Sequence, residues 1–461
     1  MNVIAAEPPA ATRAASVSRL SVADYGAGLR DGTYGTESTV RHLLARIDEV
    51  NATLDAFTFV DAEGSLAAAR AIDAHLAART DLGPLMGVPI ALKDLYAATG
   101  LPMTAGSRLD IADCTPSEGP IVQALKRGGA IILGKTRTTE FAFGAFNPSH
   151  PTPRNPCDAF VHRMPGGSSA GSAVAQAAGL CAIAFGTDTG GSVRQPAALC
   201  GVAGFKATAG RLPMDGVFPL SPTFDSPGWF GNRVADLATV WEVLSAEPPA
   251  RARPLDTLIF GRPDAYFFDD LEPDVARAID AAQQRLEAAG ARVVPVTLPP
   301  LSDLGAAFGA FISAELVAHL GRDRVNANLS RMDPVSAARI APGLTLGADA
   351  FIAMRTRFAT LAQEARIAMD GVDALVTPAC PRVAAAVDAH RATDAAAAWS
   401  RETLRLTRPG NLFGLCGVSL PVGHLAGALP VGLQLLARGG DDAGLLAIAG
   451  AVEAVVGRPR A

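Results

Sequence analysis

Residues 166–206 read GGSSAGSAVAQAAGLCAIAFGTDTGGSVRQPAALCGVAGFK and set two glycine–serine clusters at the ends of one alanine-rich segment. Gly166-Gly167-Ser168-Ser169 leads into residues 170–178, whose alanines predict a short helix stopped by Gly179. The apolar run 180–185 predicts a buried strand. It empties into Gly186-Thr187-Asp188-Thr189-Gly190-Gly191-Ser192. Glycines let a substrate approach the main chain. A serine behind two of them offers a hydroxyl nucleophile with backbone N–H groups beside it, the two parts that acyl transfer requires.

A serine hydroxyl needs a base. The seven histidines, His42, His75, His150, His162, His319, His390 and His424, lie in no recognisable catalytic context. Lys93 ends the short apolar run Gly87-Val88-Pro89-Ile90-Ala91-Leu92 and is the better candidate. Burial disfavours an ammonium, and a lysine made neutral in that way is a competent base near pH 7. Spacing alone fits a solvated lysine at a strand end better.

Lys93, GGSSAGS (166–172) and GTDTGGSVR (186–194) together resemble the amidase signature family. The likeness extends through GVPIALKDLYAATGLPMTAGS (87–107), GAIILGKTRTTEFAFGAFNPS (129–149), PTPRNPCDAFVHRMPGGSSAGS (151–172), GVAGFKATAGRLPMDGVFPLSPTFDSPGWF (201–230) and DALVTPACP (373–381). It covers nearly the whole chain from about Leu20. The resemblance implies a Ser–Ser–Lys triad. Ser192 is then the acyl-forming nucleophile, Ser168 the bridging serine on a cis peptide bond after Gly167, and Lys93 the terminal base. The two serines stand 24 residues apart, which fits the family pattern. Ala170 departs from it where many members have glycine, a small-for-small change. The N–H groups of Thr189, Gly190, Gly191 and Ser192 are the expected oxyanion donors. Asp188 and Arg194 flank the nucleophile and read as charged supports of the loop, with Ser169 a further support.

Two motif matches point elsewhere. Residues 129–136, GAIILGKT, fit the phosphate-loop pattern, but Ala-Ile-Ile-Leu in the middle reads as a buried strand, which argues against nucleotide binding. Residues 167–171, GSSAG, fit a nucleophile elbow centred on Ser169. An elbow needs a buried strand before it, and Val161-His162-Arg163-Met164-Pro165 is unsuitable.

Composition agrees with an enzyme. A net charge of −5 gives no general attraction to nucleic acid or acidic membranes. Hydrophobic content of 49% is ample for a core, and no run of about 20 apolar residues marks a membrane span. Cys114, Cys157, Cys181, Cys200, Cys380 and Cys416 form no CxxC pair, and no metal-binding pattern is present. A reduced, cytoplasmic setting is the simplest account.

The parts that must position this chemistry follow in order. Residues 36–51 predict a helix with Val40, Leu43, Leu44, Ile47 and Val50 on one stripe, and 61–79 predict a second, alanine-rich one. The catalytic parts fill 85–232, and 247–254 is the one linker-like run. Beyond it come a strand at 257–261, a helix opened by Pro273 and closed by Gly290, and a strand at 291–296. The expected architecture is α/β. Residues 1–20 are a flexible tail, and 21–461 form one large domain, a mixed twisted sheet with helices on both faces.

The expected reaction is hydrolysis of a small-molecule carboxylic amide to the acid and ammonia or an amine. It needs no cofactor, nucleic acid or membrane, and a homodimer is compatible with it. The alternative is the A-type glutaminase component of a tRNA-dependent amidotransferase, which shares the triad and would require partner subunits. A non-enzymatic binding module is hard to reconcile with all three triad positions being intact. Candidate pocket residues are Phe141, Phe143, Phe146, the Thr223-Phe224-Asp225-Ser226 run, Trp229, Phe230 and residues around 311–355, although most of these rings are expected in the core. Arg194 and Arg211 fit carboxylate binding and loop support equally well.

Overall fold

The computed structural model describes residues 20–301, 304–422 and 429–457. The expected tail, 1–20, lies outside them except for Leu20, and so does His424. Eleven strands share one sheet. They are β1 (Phe57–Val60), β2 (Pro89–Lys93), β3 (Ile131–Thr136), β4 (Ile183–Asp188), β5 (Ala203–Lys206) and β6 (Ser226–Gly231). Then come β7 (Ile259–Pro263), β8 (Arg292–Val296), β9 (Ala374–Pro378), β10 (Cys416–Val422) and β11 (Val431–Ala437). Their order across the sheet is β1-β3-β2-β4-β6-β5-β10-β11-β9-β7-β8. The pairs β3–β2, β2–β4, β9–β7 and β7–β8 are parallel and the rest antiparallel, so the sheet is mixed as expected.

Both faces of the central strands are covered, because successive side chains point to opposite faces and both sets are buried. Ile90, Leu92, Ile132, Ile183 and Phe185 join the larger core with Val22, Tyr25 and Trp241, from the helices Val22–Arg30 and Val234–Ser245. Ala91, Ile131, Leu133 and Ala184 join a separate core with Val40, Leu43, Ile72 and Val174. Those residues come from the helices Thr36–Leu54, Ala62–Ala77 and Ala170–Ala177, which match the helices expected at 36–51, 61–79 and 170–178 to within a few residues.

Two strands are displaced from expectation. The strand expected at 180–185 is β4. Leu180 N–H instead donates to Ala175 O and closes the preceding helix, while polar Thr187 and Asp188 extend the strand by pairing with Pro227 and Ser226. The strand expected at 257–261 is β7, because Leu255–Thr257 forms a tight helical turn. The Pro273–Ala288 helix ends before Gly290, which takes φ +99°. The run 247–254 joins the helix Val234–Ser245 to the β7 half, which continues the same sheet. No single helix among the described residues is long and apolar enough to cross a membrane.

Candidate active site

Ligand sites of open α/β sheets form beyond the carboxyl ends of parallel strands. Here β2 and β4 run side by side and end at Lys93 and Asp188. Lys93 is fully buried. Its Nζ donates to Ser168 Oγ and to Thr187 Oγ1, each at 2.8 Å. Burial pulls its pKa down to about 7, against the opposing charges of Asp225 and Asp188. The Asp225 carboxyl is itself pushed up to about 6 by burial, although it accepts hydrogen bonds from Thr189 Oγ1 (2.5 Å) and from the N–H groups of Leu220 and Ser221 (2.9 Å each).

Ser168 follows a cis peptide bond from Gly167, in the loop ahead of the Ala170–Ala177 helix. Gln195 fixes that loop by accepting from Gly167 N–H at 2.9 Å. Ser192 sits in the turn between β4 and the helix Arg194–Cys200, and Ser169 N–H donates to Ser192 O at 3.3 Å, tying the two serine loops together. Ser192 lines a cavity of about 360 Å³, and its hydroxyl makes no hydrogen bond among the described residues. The turn requires glycine at Gly191. Its φ is +125°, and a Cβ there would lie 1.8 Å from Thr407 Oγ1.

Asp188 holds this turn. One carboxylate oxygen accepts from Gly191 N–H (2.8 Å), Arg194 Nη2 (2.8 Å) and Asn411 Nδ2 (3.0 Å). The other accepts from Val193 N–H and Arg194 Nε, both at 3.1 Å. Burial would raise the Asp188 carboxyl, but the guanidinium of Arg194 outweighs it and keeps the acid far below the usual range. Arg194 is completed by Thr407 O (2.7 Å), Gln434 Oε1 (2.8 Å) and Asn411 Oδ1 (2.6 Å). Thus Gly191, expected among the oxyanion donors, gives its N–H to Asp188. The N–H groups of Thr189, Gly190 and Ser192 donate to no described residue.

The structure therefore brings Lys93, Ser168, Thr189, Gly190 and Ser192 to one place, with Asp188 and Arg194 beneath them. The Ser169 hydroxyl bonds the backbone of Thr187, donating to its O and accepting from its N–H at 3.3 Å each. Among the candidate rings, Phe143 lines the cavity, whereas Phe141, Phe146, Phe224, Trp229 and Phe230 are core. Arg211 is remote, paired with Glu247. The phosphate-loop match is β3, whose Lys135 is buried and bonded to Tyr96 O (2.7 Å), Pro102 O (3.0 Å) and Asp94 (3.1 Å).

Residues 38–446 match the model of the Amidase family. The chain belongs to that family. This amidase is 36% identical to 2-amino-5-chloromuconic acid deaminase of Comamonas testosteroni, over 97% of its own length and 98% of that protein. It is also 36% identical to the A component of glutamyl-tRNA(Gln) amidotransferase from Myxococcus xanthus (strain DK1622), over 94% of its own length and 96% of that protein. A crystal structure of an amidase superposes with a TM-score of 0.85 at 29% identity, covering 95% of this chain and all of that one. The amidase is thus an enzyme of the class that hydrolyses C–N bonds in amides.

Sequence reasoning missed several parts of the amidase's site. Thr187, the second partner of Lys93, lies inside the GTDTGGSVR motif, yet the motif assigns it no role. Gln195 and Asn411 carry no motif signal of their own. Arg401 and Arg408 line the same cavity as Ser192, and nothing in their local sequence shows it, whereas Ile312, Val335 and Arg339, from the candidate stretch 311–355, line it as expected.

Proposed function

We propose that the amidase hydrolyses a small carboxylic amide through an acyl-enzyme on Ser192, with Ser168 and Lys93 as its proton relay. The observation that carries this reading is the 2.8 Å contact between buried Lys93 and Ser168 beside the cavity that Ser192 lines. A lysine pulled to about pH 7 is neutral often enough to act as a base. Its lone pair takes the Ser168 proton while Ser168 takes that of Ser192. Ser192 Oγ attacks the amide carbonyl, and the N–H groups of Thr189, Gly190 and Ser192 receive the developing oxyanion. The relay then returns a proton to the leaving nitrogen, and water releases the acid by the same route. The 360 Å³ cavity is at the small-molecule end of ligand-site sizes.

The likeness to the amidotransferase component supports a second reading, a glutaminase working with partner proteins. A panel of amides, glutamine included, separates the two when given to the purified chain alone. Turnover of simple or aryl amides supports the free-standing amidase. Glutaminase activity that appears only with added partners supports the second reading. Ser192→Ala should abolish turnover, and a fluorophosphonate should add to Ser192 in the intact mass and peptide map. An adduct on Ser169 or Cys200 instead overturns the mechanism.

A further inference from the structure

The cavity that Ser192 lines is lined as well by three arginines, Arg339, Arg401 and Arg408. None of the three has a carboxylate within ion-pair distance among the described residues. Arg339 donates to Phe143 O at 3.1 Å and stands 5.9 Å from the Phe143 ring, and Arg408 stands 5.7 Å from the Phe308 ring. Arg401 makes no hydrogen bond among the described residues. Asp333, the acid whose charge acts on Arg339, is occupied by Asn147 (3.2 Å), Ser149 (2.6 Å) and Val335 N–H (2.9 Å). Burial, with the like charges of Arg408 and Arg401, pulls Arg339 down to about 10, so the three groups lie close enough to repel one another. The seat of Arg339 is also built. Gly144 has φ +117°, and a Cβ on it would lie 1.8 Å from Arg339 Nη1.

We propose that this amidase acts on amides that carry a carboxylate, which Arg339, Arg401 and Arg408 hold while the amide carbonyl lies against Ser192. This rests on the reading of Ser192 as the nucleophile. Arg339 and Arg408 are half-buried without counter-ions, a cost that an arriving anion offsets, Arg401 is exposed and free to turn toward it, and guanidinium forks bind carboxylates in two-point fashion. The same cavity is lined by Phe143, Phe308, Ile312 and Leu404. The substrate class is therefore a half-amide of a dicarboxylic acid with an apolar, flat or short spacer. Its products are a dicarboxylic acid and ammonia or an amine, balanced by one water.

The test compares matched pairs that differ in the distal charge: adipamic acid against hexanamide, and terephthalamic acid against para-toluamide. The wild-type kcat/KM should favour the acid of each pair by roughly ten- to hundredfold, the scale of a charged hydrogen-bonded contact. Arg408→Gln and Arg401→Gln should each collapse that ratio toward unity. Equal or faster turnover of the neutral amides by wild type overturns the carboxylate clamp and leaves the Ser192 reading standing. A binding measurement separates the two failures. Ser192→Ala protein titrated by calorimetry should take up adipamic acid and not hexanamide, and Ser192→Ala/Arg408→Gln should take up neither. If wild type turns over no amide yet this binding pattern holds, the clamp stands and the hydrolytic reading falls. Binding of hexanamide equal to that of adipamic acid sinks the clamp.

Discussion

Two parts of one site, the packed floor under the Ser192 turn and the wall of the cavity that Ser192 lines, treat the same residue type in opposite ways. On the floor, Arg194 is fully buried and every part of its guanidinium is bonded, to Asp188, Asn411, Thr407 O and Gln434. On the wall, Arg339, Arg401 and Arg408 have no acidic partner among the described residues. A saturated guanidinium has nothing left to offer a substrate and serves as scaffold. Its bonds run from the Ser192 turn to β11 and the helix Arg408–Leu412, so they hold distant segments in one geometry. An unsaturated cluster stores recognition capacity instead, at the expense of mutual repulsion.

The largest expected effect belongs to the floor. Lys93→Ala should lose roughly 10²–10⁴-fold in kcat/KM, the usual worth of a positioned base, with circular dichroism showing an intact fold. Lys93→Arg should not rescue it, since a guanidinium stays charged. In the wild type, kcat/KM should fall with unit slope below about pH 7, as the lowered pKa of Lys93 requires: the neutral amine is the active form, and acid removes it. Near-normal amide turnover by folded Lys93→Ala would remove the relay from the mechanism.

Next in size, Arg194→Gln should cost about 3–5 kcal/mol in a denaturant melt, because it strands a buried, fully bonded Asp188. A loss below 1 kcal/mol, on the scale of a surface contact, would erase the contrast with the wall. Gly144→Ala should cost about 1–3 kcal/mol, because alanine is strained at φ +117° and its methyl invades the Arg339 seat. The smallest effect falls on the wall. Arg408→Gln should leave stability within about 0.5 kcal/mol or raise it slightly, since it breaks no ion pair and relieves repulsion. A loss as large as that of Arg194→Gln would mean that Arg408 is scaffold too.

Much of the floor was legible in the chain because its residues are close in sequence. Ser168, Asp188, Ser192 and Arg194 fall within one strand-and-helix stretch whose glycines mark the turns. Lys93 was legible only through the resemblance, since by spacing alone a lysine at the end of an apolar strand reads better as solvated. What sequence misjudged follows from local competition. Leu180 closes a helix instead of opening β4, and Gly191 gives its N–H to Asp188. Phe141, Phe146 and Phe224 pack as core, as was expected of most of the candidate rings, but which ring faces the cavity was not legible, because hydrophobic patterning cannot distinguish a ring that faces a cavity from one that faces its neighbours.

The sequence alone determined the α/β class and the order of the main elements, because periodicity and glycine turns are local properties of the chain, whereas the hydroxyl–hydroxyl–amine set came only as an expectation from the family resemblance. Only the tertiary structure decided which charges are satisfied. Arg194 meets Gln434 across 240 residues, and Arg339 meets Phe143 across 196. Pairing of that range depends on how the sheet order folds distant segments against one another. No local pattern records it, so the difference between a guanidinium that braces the Ser192 turn and one left facing the cavity emerges only once the chain has packed.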